Sequence, residues 1–229
     1  MPWALLNTAL AGIGSLAISL FSAPGARACG HLWGKINNWA FGIKLEVEGL
    51  ENLPRDGGGY ILASNHASAG DIWAVLAGLP VDVCWVTKAA LLKYPFVGWH
   101  LKKVHIPVAR RAAGNTRRFL ADGARKIQEG ATVVIFPEGT RNRGGADLLP
   151  FRKGAFLLAR AAQRPIVPVA IVGSHTIWPP GQSLPDAGTI RMRVGPPIDP
   201  ADFPDEDLTP LADHTRQVIK DLIAEASPQ

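Results

Sequence analysis

A chain of 229 residues, 47% hydrophobic and only 19% charged, excludes a disordered protein and is too short for two full enzymatic domains. Lys and Arg outnumber Asp and Glu by 24 to 19, a balance that suits an anionic metabolite or an acidic membrane face. With no Lys/Arg tract interleaved with aromatics, nucleic acid is not expected.

Trp3 to Ala26 carries no charged side chain, and a helix rising ~1.5 Å per residue over that length could cross a ~30 Å hydrocarbon core. A secretory signal peptide is the rival, with small residues at 26 and 28 resembling a cleavage site, but no Lys or Arg precedes the apolar run. Farther on, Leu32, Ile36, Trp39 and Ile43 recur at helical spacing. Trp33 and Trp39 suit the headgroup boundary, and Arg27, Lys35 and Lys44 are placed to meet acidic lipids. Residues 3–43 therefore read as two helices dipping into one leaflet, or as one span plus an interfacial helix. The competing reading packs the stripe on the globular body. The Lys and Arg after this segment put the main domain on the cytoplasmic face, with anchoring helices over 1–44 and the catalytic unit over 45–229.

From Gly49 onward short apolar runs alternate with helical ones. Tyr60–Ala63, Val83–Val86, His105–Val108, Thr132–Phe136 and Ile166–Val172 read as buried strands, and Ile190–Val194 as an outer strand. Helices are predicted over Asp71–Ala77, Asn115–Glu129, Gly154–Ala162 and Leu211–Ala226. The alternation predicts an α/β domain with a mixed, largely parallel sheet flanked by helices, and ligands at the carboxyl ends of its strands. Cys29 and Cys84 form no C-x-x-C pair and no Cys/His cluster has ligand spacing, so neither a disulfide nor a metal is expected.

Two segments at strand ends carry chemistry. In the first, Ser64-Asn65-His66-Ala67-Ser68-Ala69-Gly70-Asp71, an imidazole needs a carboxylate on one nitrogen to leave the other free as a base. His66 and Asp71 meet only if His66 lies in the turn and Asp71 inside the helix. Otherwise Asp71 merely starts that helix. In the second, Phe136-Pro137-Glu138-Gly139-Thr140-Arg141, a guanidinium able to bind phosphate by two bonds joins a carboxylate open to substrate hydroxyls. Taken alone, Glu138 and Arg141 also fit an ordinary surface ion pair. Neither Ser68 nor Ser174 sits in G-x-S-x-G, which argues against a serine hydrolase.

Together, N-H-x-x-x-x-D and F-P-E-G-T-R resemble the glycerophospholipid acyltransferase family. Residues 49–56, 94–99, 136–156 and 165–174 are similar to its lysophosphatidic acid acyltransferase branch. The resemblance implies His66 as general base, Asp71 as its support, and direct attack of a lysolipid hydroxyl on a thioester without an acyl-enzyme. It implies an acceptor site of Glu138, Gly139, Thr140, Arg141, Arg110 and Lys88, supported by Asn65, Pro137 and Pro168. Acyl-CoA or acyl-carrier protein would be the donor, membrane lipids the surroundings, and no cofactor is implied. Ala109 stands where the family has Asp or Asn, and Ala90 where it often has Glu. These departures keep another acceptor open, such as a lyso-ornithine lipid or another lysophospholipid. A non-enzymatic alternative is a module that binds anionic lipid through Lys102, Lys103, Arg110, Arg111, Arg117 and Arg118.

Overall fold

The computed structural model describes residues 2–94, 97–108, 115–142 and 147–227. Two helices, α1 (Pro2–Ser19) and α2 (Ala23–Ala40), lead into strand β1 (Ile43–Glu48). There follow β2 (Ile61–Ser64), α3 (Gly70–Gly78), β3 (Val83–Lys88), α4 (Val97–Val104), β4 (Ile106–Val108) and α5 (Asn115–Gln128). The chain ends with β5 (Thr132–Ile135), α6 (Gly154–Ala162), β6 (Ile166–Val172), the short α7 (Ser174–Ile177), β7 (Gly188–Val194) and α8 (Thr209–Ala226).

The strands form one sheet in the order β1-β7-β6-β2-β5-β3-β4. All pairings are parallel except β6 with β7. The sheet is thus mixed and largely parallel, as its apolar runs predict. Side chains alternate across it: Leu62 points to one core layer with Trp73, Val75, Leu76 and Met192. Ile61 and Ala63 point to the other, with Ile127, Phe156, Leu158, Leu211 and Ile219.

Two expectations change. Ile43 does not continue a helical stripe; it opens β1 and pairs with Gly188. That strand occupies the edge, so β7 is flanked on both sides and is not the outer strand. Among the described residues no helix is long and apolar enough to cross a membrane.

Helix α2 is oriented by its polar face. Arg27 is buried and donates to both carboxylate oxygens of Asp82, at 2.6 and 2.5 Å, and to the Val104 carbonyl at 3.2 Å. Burial opposes its charge most strongly, but the bonds and charge of Asp82, with Cys84 and Glu129 nearby, together outweigh it and raise its pKa. It therefore faces protein and not lipid headgroups, contrary to its sequence reading. His31 places its ring nitrogens 2.6 Å from the Leu76 carbonyl and 2.8 Å from that of Val81. A Cβ at Gly34 would come 2.9 Å from Leu76 Cβ, so only glycine lets α2 lie this close to α3. The opposite face is apolar and open to solvent, with Leu32 62% and Trp39 81% exposed. Of the stripe, Leu32 and Trp39 therefore do not pack on the body, whereas Ile43 is buried; Trp33, expected at the headgroup boundary, instead packs edge-on against Trp73 in the core. On α1, Leu6, Leu10 and Ile13 are likewise exposed.

Candidate active site

The first motif begins where β2 ends. The Asn65 side chain donates to the Ile171 carbonyl and accepts from the Ile171 N–H, both at 2.8 Å. This extends the β2–β6 ladder beyond the Ser64–Val169 pair with a side-chain amide in place of a peptide. A carboxylate could not make both bonds. Pro168 lies deeper in β6, opposite Ala63 and below the level of the motif.

Beyond Asn65 the chain turns and enters α3, whose first turn carries Asp71. Asp71 is 0% exposed, and its Oδ2 accepts from the N–H of Ala67 at 2.8 Å and of Ser68 at 2.9 Å. The same oxygen lies 2.8 Å from His66 Nδ1. Asp71 thus organises the turn and also holds the imidazole; the two roles weighed in the sequence coexist. A carboxylate acceptor requires the hydrogen on Nδ1, leaving Nε2 with its lone pair. The His66 side chain is 13% exposed and stacks on Phe136, with ring centroids 4.0 Å apart and 11° between planes. Ser68 is buried, donating from its hydroxyl to the Trp178 carbonyl at 2.7 Å.

The second motif closes over the first. Glu138 is 2% exposed; Oε1 accepts from the His66 N–H at 2.8 Å and Oε2 from the Leu149 N–H at 3.0 Å. Four residues on, the Asn142 N–H donates to the His66 carbonyl at 2.7 Å, and its side-chain amide donates to the Asp147 carbonyl at 2.7 Å. Both peptide groups flanking His66 are therefore held by this loop. Pro137 is buried and its carbonyl accepts from the Arg152 N–H at 2.8 Å. Gly139 has φ +68°, a conformation that favours glycine. Thr140 and Arg141 are exposed. The Glu138–Arg141 ion pair entertained in the sequence is not formed.

Of the remaining expected residues, Lys88 ends β3 and its side chain lies outside the described residues, as does Arg110 entirely. The sequence did not single out Phe136, Asn142 or Arg152 for a role beside His66, although each lies in or next to the second motif. Among the described residues no group of His, Cys, Asp or Glu is arranged to hold a metal. A cavity of about 570 Å³ opens between α2 and the turn before β3, lined by His31, Lys35, Leu79 and Asp82 among others. None of the motif side chains reaches it.

Residues 44–172 match the model of the Acyltransferase family. The chain is 32% identical over 169 residues to a chloroplastic 1-acyl-sn-glycerol-3-phosphate acyltransferase of Brassica napus, covering 73% of this chain and 48% of that one. It is 30% identical over 193 residues to human 1-acyl-sn-glycerol-3-phosphate acyltransferase alpha, covering 82% and 67%. It spans about half to two thirds of the length of these relatives. The crystal structure of the 1-acyl-sn-glycerophosphate acyltransferase PlsC from Thermotoga maritima superposes with a TM-score of 0.73 at 25% identity, covering 97% of each chain.

Proposed function

Since this chain belongs to the acyltransferase family, we propose that it moves a fatty acyl group from an acyl thioester to the sn-2 hydroxyl of lysophosphatidic acid, giving phosphatidic acid. The observation that carries this is the buried Asp71 carboxylate on His66 Nδ1, which leaves Nε2 open beside a loop bearing an exposed arginine. His66 Nε2 takes the proton of the acceptor hydroxyl as its oxygen bonds to the thioester carbon. The C–S bond then breaks, and the departing thiolate takes the proton from Nε2. The thioester is already activated, so a base suffices and no acyl-enzyme forms. Asp71 keeps the tautomer and favours the imidazolium as it develops.

Glu138, whose carboxylate is engaged by two amides, acts in this scheme through His66's backbone, while Arg141 meets the acceptor phosphate together with Arg110 and Lys88. The outward apolar faces of α1 and α2 seat the enzyme in one leaflet, where its lipid substrates reside. Similarity to enzymes named for the 1-acyl-glycerol 3-phosphate acceptor supports that substrate. Ala109, where the family carries Asp or Asn, favours as second reading another lysolipid acceptor. A lipid-binding module without activity would have no use for the His66–Asp71 pair.

The test is a panel of lysophosphatidic acid, lysophosphatidylcholine, lysophosphatidylethanolamine, lyso-ornithine lipid and monoacylglycerol, each with acyl-CoA and with acyl-carrier protein. Preferential acylation of lysophosphatidic acid is expected. Equal or greater turnover of a zwitterionic or phosphate-free acceptor would replace the assignment.

A further inference from the structure

Arg152 crosses the second motif from outside it. Its backbone N–H is tied to the Pro137 carbonyl at 2.8 Å, which fixes where the side chain starts. From there the side chain runs over Gly139: a Cβ at that glycine would lie 2.6 Å from Arg152 Cδ and 3.1 Å from Cζ. The guanidinium therefore fills the space a side chain at residue 139 would need. Arg152 is exposed, and among the described residues no carboxylate pairs with it or with Arg141. Elsewhere in the chain arginines do find acids, as Arg164 does with Asp56 and Arg191 with Glu46. Arg152 thus lies unpaired over a glycine two residues before the unpaired Arg141, in a loop whose residues Glu138 and Asn142 bond directly to His66.

We propose that Arg152 is a further phosphate-binding residue, joining Arg141 on the acceptor's phosphate from its place over Gly139. The inference rests on the lysophosphatidic acid reading and deepens it. In that acceptor a single methylene and an ester oxygen separate the reacting carbon from phosphorus. A hydroxyl seated on His66 Nε2 therefore puts its phosphate into the adjacent loop. A phosphate monoester carries up to two negative charges and presents three acceptor oxygens, more than one guanidinium satisfies. Gly139 is required for the turn and also for the approach of Arg152.

The experiment compares wild type, Arg152→Gln and Arg152→Lys for KM and kcat on lysophosphatidic acid and monoacylglycerol, with acyl-CoA also varied. Bonds to a charged group contribute ~1.5–3 kcal/mol, so Arg152→Gln should raise the lysophosphatidic acid KM about ten- to a hundredfold. The KM for monoacylglycerol and for acyl-CoA should stay within about threefold, and Arg152→Lys should recover part of the loss. Equal rises for both acceptors, a rise confined to acyl-CoA, or no change would each overturn the proposal. Wild-type turnover of lysophosphatidic acid with a KM unmoved in Arg152→Gln leaves the function standing and removes Arg152 from it. Calorimetric binding of sn-glycerol 3-phosphate reads the residue without turnover: weaker binding by Arg152→Gln supports the clasp, and equal binding removes it.

Discussion

Glu138 accepts a hydrogen bond at 2.8 Å from the backbone N–H of His66, a residue 72 positions earlier in the chain. Its second oxygen accepts from Leu149, so the carboxylate joins three loop segments at one buried point. Removing it leaves two part-buried N–H groups without an acceptor, at up to about 1–3 kcal/mol each. Glu138→Ala is expected to lower thermal stability. Glu138→Gln keeps one acceptor but turns an N–H toward the other donor. It should cut kcat by up to about a hundredfold, the scale of a small misplacement of a reacting group, with little change in acceptor KM. A KM effect with kcat intact would mean that Glu138 contacts the acceptor instead.

The base itself should be the most sensitive position. His66→Ala is expected to lose roughly 10²–10⁴ in kcat while folding and binding vesicles normally. Asp71→Asn should cost much of the same rate with acceptor KM little altered, because it disturbs the Nδ1 hydrogen and not the binding of lipid. Retention of more than about a tenth of wild-type rate by His66→Ala would rule out general-base catalysis there.

Helix α2 permits its two faces to be tested separately. Leu32→Glu with Trp39→Glu should abolish co-sedimentation with acidic vesicles and leave the melting temperature near that of wild type, because both side chains are exposed. Gly34→Leu should do the reverse, lowering stability by forcing α2 away from Leu76. If the double substitution leaves vesicle binding intact, the outward face is not the membrane contact.

Acid should weaken the fold through His105. Burial, with His100, Arg27 and Lys126 nearby, pushes its pKa down to about 3, and its Nδ1 accepts from the Trp85 N–H at 3.3 Å, a bond that needs the unprotonated nitrogen. The unfolded chain binds the proton near pH 6.5, so this contribution is full above that pH and is lost as pH falls from 6.5 towards 3. The slope is at most about 1.4 kcal/mol per pH unit. Urea unfolding at pH 7.5 and 5.0 should show the loss in wild type and a smaller one in His105→Gln. Equal losses would place the acid sensitivity elsewhere.

What the sequence disclosed was what neighbouring residues encode. The central strands β2, β5 and β6 are visible as unbroken apolar runs because both faces of the sheet are covered. Strand β1 was not, because Lys44, Glu46 and Glu48 interrupt it and its pairing partner lies at the far end of the chain. Helix α4 escaped notice since it has eight residues and contains Gly98. Spacing brought His66 and Asp71 together only on the condition that His66 lies in the turn before α3, which is where it lies. The Glu138–His66 bond could not, because it ends on a backbone N–H, which no residue type announces. Arg27 is hidden for a related reason: its partner Asp82 is 55 residues away, and an arginine just after a long uncharged run resembles a headgroup ligand until that partner is seen.

The edge strand has a consequence for the order of assembly. Since β1 pairs only with β7, residues 43–48 must wait for residues 188–194 before their ladder can close. During synthesis α1 and α2 leave the ribosome long before that partner exists, so their apolar faces are exposed while the body is still incomplete. Closure of β1 is then among the last and most non-local steps. A truncation ending before Gly188 should leave β1 without its ladder partner, and such chains should be prone to aggregate through that edge.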